Sequence, residues 1–199
     1  MQKTSRAVKA GAIGMVGAVL FTASVIMQYS LDLYGPEAGL LWVLHELLVF
    51  TAFICIMVGF MGIIWGGGVN SRLGKTSVYI YIASWALIII AGTAGLLLQT
   101  EDNPIFILYP IGALLSDIAA FLVGITVLTA GRWSGWQRFM PLLNFLVVFF
   151  GVSLPLILGA SDGPGLVGEL AMGICWFGVA LAVFTTQARQ VSPQTAAAG

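Results

Sequence analysis

The sequence predicts an all-α, polytopic integral membrane protein with six transmembrane helices, and three observations carry that prediction. First, 59% of the 199 residues are hydrophobic and only 8% are charged. A soluble domain carries about 25% charged residues, so this chain lacks the polar surface that water requires. The mean hydropathy of +1.02 agrees. Second, six stretches reach the roughly 20 apolar residues that a spanning helix needs: about 10–29, 38–65, 77–99, 105–130, 140–160 and 164–187. Third, with six spans every Lys and Arg falls on one side.

The breaks between the stretches are rich in turn formers. Gly35-Pro36 separates the first two, Gly66-Gly67-Gly68 with Asn70-Ser71 the second and third, and Asp102-Asn103-Pro104 the third and fourth. Gly131 to Gly135 with Pro141 precede the fifth, and Ser161-Asp162-Gly163-Pro164 the sixth. Glycine frees the backbone and proline cannot continue a helix, so such runs end spans. The first stretch follows Lys3, Arg6 and Lys9, as a signal peptide would. It is long enough to cross, and no clear small-residue cleavage site follows it, so it reads as an uncleaved first helix. Residues 1–190 form one six-helix domain in this reading, and 191–199 (VSPQTAAAG) a disordered cytoplasmic tail.

Lys3, Arg6 and Lys9 precede span 1, Arg72 and Lys75 lie between spans 2 and 3, Arg132 and Arg138 between spans 4 and 5, and Arg189 follows span 6. Basic residues stay on the cytoplasmic side, and chance would put all of these together about once in a hundred tries. Both termini are therefore expected in the cytoplasm, in a multi-pass protein of the cell membrane. Asp32, Glu37, Glu101, Asp102 and Asp162 occupy the opposite loops. Trp65, Trp133 and Trp136 at the basic edge, and Trp42, Tyr29 and Tyr34 at the other, fit belts of headgroup-level aromatics. Net charge is zero, which predicts no nucleic-acid partner. The lipid bilayer is the expected partner, with a homo-oligomer or a larger membrane complex as the setting.

Three acids remain, Glu46, Asp117 and Glu169, each inside an apolar stretch, as is the only histidine, His45. A charged residue at the centre of a span costs roughly 2.5–3.5 kcal/mol on insertion scales, so such groups face the bundle interior. Aligning the even-numbered spans places these acids in register: Val43-Leu44-His45-Glu46-Leu47, Leu114-Leu115-Ser116-Asp117-Ile118 and Leu166-Val167-Gly168-Glu169-Leu170. Each unit would be one helical hairpin, so the domain reads as three repeated hairpins, although the spacing between units is unequal. All three acids fall in the outer half or at the midplane. They are expected to share a pocket that binds protons or cations, because neighbouring carboxylates in low dielectric need a counter-charge and no Lys or Arg lies within a span. His45 is the one intramembrane base; it stands about 100° around the helix from Glu46, so the two are expected on different faces.

Lesser polar residues are Gln28, Ser84, Thr93, Gln99, Asn144 and Ser153. Pro155 is expected to kink span 5. Gly14/Gly17, Gly59/Gly62 and the Gly124/Gly131 region are expected to allow close helix approach. Cys55 and Cys175 form no CxxC pair and read as packing residues. One histidine excludes bis-histidine haem within the chain. No phosphate-binding Gly-rich loop, E-x-x-H or H-E-x-x-H motif, or row of gating arginines occurs. No intramembrane lysine is available for a Schiff base, no catalytic residue is indicated, and the residues leave cofactor and metal open.

The expected function is proton- or cation-linked transport or permeation through Glu46, Asp117, Glu169 and His45. The alternative is a non-catalytic accessory subunit of a larger membrane complex, with its acids bonded across separate helix interfaces. A third reading is an intramembrane enzyme with a metal held by His45 and the acids.

Overall fold

The computed structural model describes residues 2–33, 36–98, 104–158 and 165–196. Expectations placed on Tyr34, Gln99, Glu101, Asp102, Asp162 and 197–199 lie outside the described residues, as do the side chains of Lys3 and Arg189. The structure is all-helical: α1 (Gln2–Leu31), α2 (Leu40–Trp65), α3 (Arg72–Leu98), α4 (Leu108–Ala130), α5 (Met140–Val148), α6 (Leu154–Ile157) and α7 (Gly165–Ala196). A π-helical turn, Phe149–Ser153, joins α5 to α6, so the fifth apolar segment runs Gly135–Ile157 as one broken rod. Among the described residues, six helices are long and apolar enough to cross a membrane.

The helices overrun the boundaries read from hydropathy. Arg6 and Lys9 lie within α1, and Arg72 and Lys75 within the first turn of α3. These residues and the 131–139 link mark a basic end of the bundle. There the side-chain oxygen of Asn70 accepts from Arg132 Nε at 2.7 Å, which ties the α2–α3 link to the α4–α5 link. Gln137 donates to Thr185 Oγ1 at 3.1 Å.

The segments pack in a ring, each against the next in sequence, with α7 returning to α1 and also touching α2. α1 and α2 approach closely: a Cβ built on Gly14 would lie 2.8 Å from Gly59 Cα. Only glycine permits this, as the sequence reading expected. Gly124 likewise abuts the Leu142 backbone. Gly131 has a different role. It caps α4 in the left-handed conformation (φ 61°) and a Cβ there would meet nothing, so it is a helix stop and not a packing residue.

Large apolar side chains cover the exterior, among them Val16, Ile54, Ile90, Val167 and Ile174. Exposed apolar surface of this extent suits lipid and would be costly in water. Trp136 is exposed at the basic edge, as a belt residue should be. Trp133 is not: it is only 2% exposed and packs on Gly68. The belt reading of Trp133 is corrected here, because the link after α4 folds back under the bundle and buries it.

Candidate functional site

Beyond the tight α1–α2–α7 contact, the helices part and enclose a cavity of about 950 Å³ to which all six segments contribute. Its walls hold His45, Glu46, Asp117 and Glu169 together. No Lys or Arg is among the described residues that line it.

The helix starts set the depth of each group. Glu46 lies six residues into α2, Glu169 four into α7 and Asp117 nine into α4, or roughly 9, 6 and 14 Å below those starts at 1.5 Å per residue. Pro110 falls in the first turn of α4, where its missing N–H leaves no helical bond broken. Asp117 is accordingly the deepest, at 4% exposure, while Glu46 retains 24%. Tyr109 and Ile157, which also line the cavity, are well exposed. The cavity therefore leads inward from the end opposite the basic one.

Two groups of polar side chains result. Near the mouth, His45 Nδ1 stands 3.4 Å from Glu46 Oε1. Glu169 is close enough to interact with the imidazole, and the Tyr109 hydroxyl with both glutamates. The expectation that His45 and Glu46 stay on different faces fails, since adjacent helical side chains converge when both bend toward one opening. His45 is only 4% exposed, yet neither ring nitrogen makes a hydrogen bond among the described residues. A buried polar group left so calls for a partner.

Deeper, Asp117 faces the hydroxyl of Ser153. The fold explains that meeting. Pro155 cannot donate to the carbonyl four residues before it, and the chain answers with the π-turn, in which the Leu154 N–H bonds to Phe149 O. The anticipated kink is thus a π-turn. Ser153 ends it and lines the cavity opposite Asp117.

An aromatic floor closes the cavity. Phe21, Phe53 and Trp85 line it from α1, α2 and α3. Trp176 of α7 packs edge-on against Trp85 (5.1 Å between centroids) and Phe21 (4.9 Å). Its indole N–H donates to Tyr81 Oη at 3.1 Å, and Tyr81 stacks on Phe60. The sequence reading missed this floor, along with Tyr109. A signal was present: Trp85 and Trp176 lie mid-span, away from any belt.

The remaining polar residues are quieter. Ser84 and Thr93 bond their own helix backbone, to Ile80 O and Ile89 O, as Ser and Thr in such helices usually do. Asn144 is buried beside Tyr81, and Gln28 lines the cavity. Cys175 is buried and Cys55 half-buried. Among the described residues, no three of His, Cys, Asp and Glu are grouped tightly enough to hold one metal ion. Comparison with protein-family models, curated proteins and solved structures finds no match to this chain.

Proposed function

We propose that this chain is an integral protein of the cell membrane, with both termini cytoplasmic, that transports protons or cations through Glu46, Asp117 and Glu169 with His45 as their basic partner. The observation that supports it best is the meeting of all four groups on one cavity with no Lys or Arg among the described residues that line it. Carboxylates lining a largely apolar cavity are held away from bulk water, and a proton or a cation offsets the cost of that burial. In the proposed orientation the mouth faces outward and the aromatic floor separates the site from the cytoplasm, which is one half of an alternating-access cycle. The threefold hairpin origin belongs to the same proposal, since the three aligned acids line the same cavity. So does assembly as a homo-oligomer within the bilayer. The accessory-subunit reading predicts acids on separate interfaces, and the shared cavity weighs against it. The metal-enzyme reading draws no support from donor groups so loosely spaced.

Proteoliposomes carrying an imposed proton or monovalent-cation gradient test the proposal. Wild-type protein should dissipate one of these gradients faster than empty vesicles, and Asp117→Asn should abolish the excess. A wild-type rate equal to that of empty vesicles, or an excess untouched by Asp117→Asn, Glu46→Gln and Glu169→Gln in turn, contradicts it.

A further inference from the structure

The size and the walls of this cavity bear on what it carries. An inorganic ion occupies a small fraction of about 950 Å³, which is instead the upper range of pockets built for organic ligands. Its walls are mostly apolar, and a hydrated ion gains nothing from them. The ionisable groups are carboxylates near the mouth and at depth, a histidine whose ring nitrogens make no hydrogen bond among the described residues, and the Tyr109 phenol, and the described lining holds no Lys or Arg. The floor presents Phe21, Phe53 and Trp85, and an aromatic face attracts a cation that has shed its water.

Resting on the reading of this cavity as the transport site, the geometry points to an amphipathic organic cation, a monovalent ammonium or onium compound with an aromatic or branched apolar body, as the cargo. Its charge is held among Glu46, Glu169 and Asp117, and its body lies against Phe53 and Trp85. An ammonium N–H donates to a His45 ring nitrogen, which makes no hydrogen bond among the described residues. An organic anion would meet three carboxylates and is excluded. A neutral lipid tail would fill the apolar walls but leave His45 and the acids unanswered.

The test uses the full-length protein in nanodiscs and two probes of one shape and opposite charge, radiolabelled tetraphenylphosphonium and tetraphenylborate, with empty nanodiscs as background. The phosphonium should bind saturably and the borate should not. Trp85→Ala should weaken phosphonium binding by about tenfold, the scale of a desolvated cation–π contact, while Trp85→Phe, which keeps an aromatic face, should stay near wild type. The double variant Glu46→Gln/Glu169→Gln should weaken it further. Borate binding as tight as phosphonium binding, or displacement of both probes by neutral tetraphenylmethane, would overturn the assignment in favour of a lipid-like occupant. The charge contrast is read on wild-type protein, so a variant that fails to fold does not obscure it. If the phosphonium fails to bind while the gradient assay still shows flux that depends on Asp117, the cargo class is wrong and the ion-linked reading stands; if both fail, both are wrong.

Discussion

Replacing Gly14 puts the α1–α2 contact to the test. A methyl group there would sit 2.8 Å from Gly59 Cα and 3.0 Å from Ala180 Cβ. Carbon atoms rest at about 3.5–4.0 Å, so α1 must move by about 1 Å against two helices at once. Overpacking of this kind costs about 1–3 kcal/mol. The helix-propensity gain of Gly→Ala returns about 1 kcal/mol, which leaves Gly14→Ala about 0–2 kcal/mol less stable. Gly14→Leu has a similar propensity gain and a far larger clash, so it should fall further or fail to assemble. Gly151→Ala is the control, because its new methyl would meet only Gly168 Cα at 3.9 Å. Thermal unfolding in detergent reads the difference, at about 2–4 °C per kcal/mol for a chain of this size. A Gly14→Leu protein that melts with wild type would refute the close approach of α1 to α2.

Other substitutions probe separate parts of the account. Tyr81→Phe leaves the buried Trp176 N–H without its acceptor, and a loss of about 1–3 kcal/mol in the same melting assay is expected. Trp133→Ala should cost about 3–5 kcal/mol as a large-to-small change in a packed site, whereas the exposed Trp136→Ala should stay within about 0.5 kcal/mol. Equal melting temperatures for those two variants would restore the belt reading of Trp133. Gly131→Ala forces a Cβ into the left-handed cap of α4 and should cost about 1–2 kcal/mol, with no change if the helix ends in another way.

Much of this was legible because the bilayer constrains a chain so strongly. Six apolar runs, broken by Gly, Pro and Asp, became six helical segments, and Glu46, Asp117 and Glu169 stood out because carboxylates are costly among apolar residues. What stayed hidden was side-chain convergence. Helical periodicity places His45 and Glu46 about 100° apart, yet both reach one opening, since the bundle around them decides which direction is inward. Pro155 announced a break, but not that the break would be a π-turn aiming Ser153 at Asp117. Trp133 looked like its neighbour Trp136 in sequence, and only the returning link buries one of them. The aromatic floor draws on residues from four helices, and a single chain read in order gives no account of which of them meet.

Three acids distant in sequence line one cavity. Pairwise cysteine cross-linking in native membranes measures this most directly, with Cys55 and Cys175 first replaced by alanine. Cysteines in place of Glu46, Asp117 and Glu169, taken two at a time, should each be joined by a short bis-maleimide, and Glu46 with Glu169 most rapidly, as both lie near the mouth. If any of the three pairs remains unlinked while each cysteine still reacts singly, the acids face different spaces and the shared site does not exist.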